Sequence, residues 1–263
     1  MTSKNGDSAD LSATALVSPG LYRGSEDGAA FEIKYLLPDA QATLLEERLR
    51  QELRLDPHAD PALGDAYRVT SLYFDTPEFD TFRRRENFSV QKYRIRRYGD
   101  STQVYLERKN KSAHQVHKLR TAVDMDDLAG LLATAVEPHP AEWFVRQVAE
   151  KSLRPVCAVT YQRTALIGAN GEGPIRATFD RRATGRAATD WEVDRFDSGA
   201  AILEGEVIVE LKFLLTIPEL FQSAVNDLQL LPSRVSKYRR CIRATGQAPA
   251  TLAVDPGEEA SAG

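Results

Sequence analysis

The chain has 263 residues, 42% hydrophobic and 27% charged, which is enough to bury a core and rules out neither one large nor two small domains. Two cysteines, Cys157 and Cys241, exclude a disulfide framework and a cysteine metal site; no apolar run reaches the ~18 residues of a membrane helix, and the start MTSKNGDSADLSATALVSPG has neither a basic nor an apolar signal region, so a cytoplasmic protein is expected. The net charge of −4 conceals a local excess: from Arg83 to Arg120 twelve Lys and Arg stand against Glu86, Asp100 and Glu107, which points to a localised anion site.

Residues 1–28, rich in Ser, Ala, Gly and Asp, read as a disordered leader, and 246–263 as a disordered, mildly acidic tail. Between them, 29–245 reads as one domain. Phe31 to Leu37 is a predicted strand, and Pro38 opens a helix to about Leu53. A strand follows over 68–75, a short helix after Pro77, and three hairpin-linked strands over about 89–98, 103–110 and 115–123. Helices are predicted near 124–134 and 140–151. Strands resume over 154–167, 175–182, weakly near 190–196, and 202–214. A helix after Pro218 and a basic helix from about Ser236 complete the chain. The order predicts an α+β protein whose mainly antiparallel sheet has about eight strands.

The stretch Val90–Tyr98, VQKYRIRRY, puts Lys92, Arg94 and Arg96 on one face, with Tyr93 and Ile95 on the other. The pattern recurs. Glu32 and Lys34 oppose Phe31, Ile33 and Tyr35; Tyr105, Glu107 and Lys109 alternate with Val104 and Leu106; Arg176, Thr178 and Asp180 share a side; and Glu204, Glu206, Ile208, Glu210 and Lys212 face away from Val207, Val209, Leu211 and Phe213. Solvated faces of antiparallel sheets are usually rich in Ser, Thr and Gln. These carry few neutral polar residues. A sheet of about eight strands closed on itself would turn the charged faces inward. Cations there would need a polyanion to compensate them, Arg forks gripping its phosphate oxygens and carboxylates holding a divalent cation. No Walker A loop, nucleophile elbow or GxGxxG is present.

In this order FEIKYLL, SLYFDT, YRIRRYG, YLERKNK, YQRTAL, IRATFD, VIVELKF and SRVSKYRRCI resemble the VTC domain, the polyphosphate polymerase domain of the vacuolar transporter chaperone family within the CYTH-like triphosphate tunnel metalloenzymes. The resemblance spans about 31–243. It implies a tunnel barrel that binds ATP and polyphosphate and, with Mn²⁺ or Mg²⁺, moves the γ-phosphoryl group onto a growing chain. It implies Lys237, Arg94 and Arg96 as catalytic residues, Lys34, Lys109, Lys118, Arg163, Arg176, Ser236 and Lys212 as phosphate-binding, and Glu210 as the metal ligand. The first strand carries one glutamate, Glu32, where many tunnel enzymes have ExExK, which agrees better with the VTC branch and leaves Glu210 isolated as a ligand. These residues show no SPX-like region ahead of the domain, so membrane-coupled export is not expected to carry over.

Each residue has a plainer reading. Arg94 and Arg96 could pair on the surface with Glu107 or Asp100, Glu210 with Lys212, and Lys237 could sit on a solvated helix capped by Ser236. Arg83, Arg84 and Arg85 read as a rim patch, Trp143 and Trp191 as packing residues, and the histidines at 58, 114, 117 and 139 as bystanders. Two rival functions remain: a hydrolase of inorganic or nucleoside triphosphate in the same tunnel, and a non-catalytic polyanion-binding module. Tyr105 is nearly the only aromatic residue on the cationic faces, so no nucleic acid is expected as partner.

Overall fold

Alternation along the strands becomes, in the computed structural model, a sheet with two unlike faces. The structure describes residues 31–86, 88–112, 115–128 and 139–248. The predicted leader and most of the predicted tail lie outside them, as does most of the predicted 124–134 helix.

Ten strands form one antiparallel sheet: β1 (Phe31–Pro38), β2 (Arg54–Leu55), β3 (Tyr67–Asp75), β4 (Gln91–Tyr98), β5 (Gln103–Ser112), β6 (Gln115–Asp124), β7 (Arg154–Asn170), β8 (Gly173–Ala187), β9 (Ala200–Ala201) and β10 (Glu206–Phe213). The order is β1-β10-β8-β7-β3-β4-β5-β6, with β2 on β7 and β9 on β8. The α+β class and the tunnel-like arrangement stand. Closure differs from expectation: among the described residues no ladder joins β6 to β1, and the ion pair from Lys109 on β5 to Glu32 on β1 spans the seam, 2.9 Å between Nζ and Oε1. The weak strand expected near 190–196 is absent; that stretch is irregular, and Val193 and Phe196 tuck into the core.

Helices cover the apolar outer face. Helix α1 (Asp39–Leu49), begun after Pro38, and α4 (Glu219–Asp227), begun after Pro218, bury Leu45, Leu49 and Phe221 against Tyr35, Val207, Val209 and Leu211. On the other flank α3 (Glu142–Glu150) lays Phe144 and Val148 over Phe74, Tyr93, Ile95 and Leu106. Trp143 and Trp191 pack here, as expected of them.

The C-terminal helix α5 (Lys237–Ala244) behaves differently. It lies against the same face that carries the cations, burying Tyr238, Cys241 and Ile242 against Tyr73, Cys157, Val159 and Ala183. A bulge makes room. Between Thr160 and Gln162 the β7–β8 register slips by one residue, and Arg182 adopts a left-handed φ of 51°. Side-chain parity on β8 therefore flips: Arg176, Thr178 and Asp180 face inward before it, Ala183 and Gly185 after it. A Cβ on Gly185 would stand 2.4 Å from Cys241 Sγ, so only glycine lets the helix approach this closely.

The turn before the short helix α2 (Asp80–Arg83) is held as well. Buried Asp75 accepts from the backbone N–H groups of Thr76, Thr81 and Phe82 at 2.8, 2.8 and 2.9 Å, and from Tyr238 Oη. That carboxylate ties α2 to α5. Gly185→Ala is expected to destabilise the fold by about 1–3 kcal/mol, the usual cost of overpacking, in urea denaturation; unchanged stability would show that α5 does not need this approach.

Candidate functional site

Inside the sheet lies a cavity of about 2050 Å³. Every residue that the resemblance implies lines it: Lys34, Arg94, Arg96, Lys109, Lys118, Arg163, Arg176, Glu210, Lys212, Ser236 and Lys237. Register explains the convergence. Lys34 lies opposite Glu210, Glu32 opposite Lys212, Arg94 opposite Glu107, Glu107 opposite Arg120, Arg163 opposite Asp180, and Lys109 between Lys92 and Lys118. Cross-strand partners share a face, so one inward residue in each strand brings its neighbours inward.

Three carboxylate centres hold the cations. Glu107, 1% exposed, receives Arg94 Nε at 2.6 Å, Lys118 Nζ at 2.5 Å and Arg120 Nε at 3.3 Å, with Arg96 Nη1 at 4.0 Å. Asp180, fully buried, takes a two-pronged bond from Arg163 at 2.6 and 2.7 Å and a bond from Lys237 Nζ. Glu210 and Glu32 share two lysines, Lys34 at 2.7 and 3.2 Å and Lys212 at 3.1 and 3.6 Å, and Glu32 also holds Lys109 at 2.9 Å. The expected pairing of Arg94 and Arg96 with Glu107 thus exists, but inside the cavity rather than on the surface. Glu210 is not isolated either, because Glu32 completes a pair on the same face.

Burial by itself would raise all four carboxyls, but the cations overrule it. Arg94 and Lys118 hold Glu107 well below the usual carboxylate range, Lys34 does the same for Glu210 and Glu32, and Arg163 with Lys237 brings Asp180 to about 2. Lysines with less compensation go the other way. Burial, reinforced by Lys34, Lys109, Arg239 and Arg84, lowers Lys92 to about 7; Lys92 Nζ rests 3.0 Å from Ser236 Oγ. Burial brings Lys118 down to about 8 against the pull of Glu107. Tyr98 resists burial and falls to about 7, because Arg96, Arg120 and Lys118 favour its phenolate.

Several lining residues stand outside the set that the resemblance implies, Lys92 among them although its face was read correctly. Lys92 and Arg120 were legible by parity, being two residues from Arg94 and from Lys118. Tyr98 follows the same parity, so Tyr105 is not alone: Tyr67 and Tyr98 also line the cavity. Arg84 reaches the wall from the rim patch, and His58 and His117 border it. Asp180 was seen only as a face-mate of Arg176; its contact with Lys237 joins residues 57 positions apart. Arg176 itself donates to Asp56 Oδ2 at 2.8 Å and to Tyr67 Oη at 3.0 Å.

Among the described residues no group of three or more His, Cys, Asp or Glu could hold a metal alone. The Glu32–Glu210 pair nevertheless fits a hard divalent ion that takes part of its oxygen shell from a phosphate substrate, the usual arrangement for Mg²⁺. Both carboxyls are ionised and on one face of adjacent strands.

A family model, the VTC domain, matches residues 29–245. The chain belongs to the VTC domain family. Among curated proteins none matches it in sequence. Of solved structures, a candidate adenylate cyclase from Bacillus halodurans is similar at 12% identity and a TM-score of 0.47, covering 80% of this chain and 94% of that one. A candidate adenylyl cyclase from Hippeastrum, described as having a dominant triphosphatase activity, is similar at 16% identity and a TM-score of 0.44, covering 82% and 96%. In this VTC domain no helix among the described residues is long and apolar enough to cross a membrane.

Two outcomes follow from the charge balance. Glu107→Gln is expected to lower the melting temperature of the ligand-free protein, since four cations lose their common counter-charge. Inorganic tripolyphosphate should restore the variant more than it stabilises the wild type; an unchanged melting temperature would remove Glu107 from this role. The second concerns protons. Lys92 titrates near 7 when folded against 10.5 when free, so the unfolded chain binds more protons between these values. This group's penalty is full below about pH 7 and fades as pH rises toward 10.5. A polyanion reverses the shift, so tripolyphosphate binding at pH 8 should take up protons, seen by calorimetry in buffers of different ionisation enthalpy. Lys92→Met should reduce the uptake, and equal uptake in both proteins would discount Lys92.

Proposed function

We propose that this VTC domain is a metal-dependent phosphotransferase that makes inorganic polyphosphate from ATP inside its cationic cavity. The observation that carries the reading is the uncompensated charge of the wall. The inward-facing cations Lys34, Lys92, Arg94, Arg96, Lys109, Lys118, Arg120, Arg163, Arg176, Lys212 and Lys237 outnumber the carboxylates Glu32, Asp56, Glu107, Asp180 and Glu210 that face them. A neutral or cationic ligand could not offset that, whereas a chain of phosphates does so along its length.

In this reading Arg94, Arg96 and Lys237 surround the transferred γ-phosphoryl group, and Lys34, Lys109, Lys118, Arg163, Arg176, Lys212 and Ser236 hold the phosphates on either side. Phosphoryl transfer asks little covalent chemistry of a protein; it needs in-line alignment and fixed positive charge around the equatorial oxygens. The wall supplies fixed charge, because Glu107 and Asp180 hold Arg94, Arg163 and Lys237 in place before any substrate arrives. The terminal phosphate of the acceptor chain attacks the γ-phosphorus and ADP departs, with no protein nucleophile. Glu210, with Glu32, would hold Mn²⁺ or Mg²⁺, which when bound neutralises developing phosphate charge. Lys34 and Lys212 orient both carboxylates and also meet the same phosphates.

The test is purified protein with γ-labelled ATP and Mn²⁺, products resolved on a denaturing gel, with Glu210→Ala alongside. A ladder of labelled polyphosphate is expected, slowed in the variant by on the order of 10²-fold, the size of effect when one preorganised electrostatic group is lost. Labelled free phosphate alone would assign a tunnel hydrolase instead. ATP left intact with every divalent metal would reduce the domain to a polyanion-binding module.

A further inference from the structure

The cavity is not uniform along its length. Tyr67 is the first residue of β3, Tyr98 the last of β4 and Tyr105 the third of β5, so antiparallel register gathers the three rings at one end. Lys92 and Lys109, near the opposite ends of β4 and β5, mark the other. At the aromatic end the Tyr98 and Tyr105 rings meet edge to face at 5.5 Å, Tyr67 stands 6.1 Å from Tyr98, and the Arg120 guanidinium lies 3.5 Å over the Tyr105 ring.

Nothing in a phosphate chain calls for this grouping. Phosphate oxygens gain from cations and from N–H and O–H donors, but the electron-rich face of a phenol offers them nothing, and the Tyr105 hydroxyl is turned to Gln103 Oε1 at 3.1 Å. Packing accounts for part of it, since Tyr67 belongs to an apolar cluster and Tyr98 leans on it. It does not account for Tyr105, which belongs to none of the three apolar clusters and lines the cavity beneath Arg120. A ring with a guanidinium stacked on it is the platform on which a nucleobase stacks, through either plane. Arg120 also joins the platform to the phosphate site, its Nε being 3.3 Å from Glu107. Arg96 and Arg94 follow two and four residues from Tyr98 along β4, roughly 7 and 13 Å away at the rise of a strand. A nucleotide whose base lies on this platform would run its phosphates down that row.

We propose that Tyr105 and Arg120, backed by Tyr98, form the seat of a nucleobase, the place where the cavity distinguishes a nucleoside triphosphate from an inorganic chain of phosphates. This rests on the reading of ATP as phosphoryl donor. The polarity it implies sets the base at the tyrosine end and the lysine row Lys92–Lys109–Lys118 toward the phosphate acceptor.

The test compares two probes, ATP and inorganic tripolyphosphate, by calorimetry without divalent metal on the wild type, Tyr105→Ala and Tyr105→Trp. Tyr105→Ala should weaken ATP by about tenfold or more, the scale of one lost base stack, and alter tripolyphosphate less than about twofold. Tyr105→Trp should keep ATP binding. Equal weakening of both probes in Tyr105→Ala, or no weakening of ATP, overturns the seat. If the wild type turns ATP into labelled product while Tyr105→Ala binds ATP as well as it does, only this inference falls. If the wild type holds tripolyphosphate but not ATP, the ATP reading falls and the seat with it.

Discussion

Cations buried inside a sheet must be answered by something, and in this protein carboxylates answer only part of them. Glu107, Asp180 and the Glu32–Glu210 pair keep the fold viable by accepting the strongest hydrogen bonds in the cavity. They are too few to neutralise it. The remainder is an excess of positive charge, which the polyanion of the proposed function would meet. Everything else in the structure serves that balance: the outer face is apolar and helix-covered so that the inner face can be charged, and the charged face is kept from collapsing by its own ion pairs.

How α5 reaches this interior is the less obvious part. A helix with Lys237 and Arg239 among its first residues would ordinarily be read as solvated. Here it enters the charged face because the bulge at Thr160–Gln162 turns small residues, Ala183 and Gly185, toward it where β8 would otherwise present Arg182, Thr184 and Arg186. Asp75 then clamps its Tyr238. Lys237 is thereby delivered to Asp180 from a different element than the strands that supply the other cations.

Much of this was legible in local pattern. Parity in VQKYRIRRY assigns Lys92, Arg94 and Arg96 to one face without any knowledge of neighbours, and the same rule gives Lys34, Lys109, Arg176 and Glu210. What parity does not give is who answers whom. The Glu107 centre depends on the β4–β5–β6 register, and the Glu32–Glu210 pair on β1 lying beside β10, 176 residues away for Lys34 and Glu210. The Asp180–Lys237 contact depends on a bulge that no composition announces. The short strands β2 and β9, two residues each, fall below what alternation can register. The stretch 190–196 alternates well enough to suggest a strand, yet Val193 and Phe196 are used as plugs for an apolar core.

The seam between β1 and β6 has a consequence for solubility. A sheet whose ends are not laddered together leaves two strands whose outer edges another copy could extend. Both edge strands carry charges that point inward, Glu32 and Lys34 on one and Lys118 and Arg120 on the other. Inward-pointing charge is one of the ways natural sheets keep an edge from recruiting a further strand, because pairing there would bury it. The side chains that charge the cavity therefore also make its rim unattractive to a neighbouring molecule of the same protein.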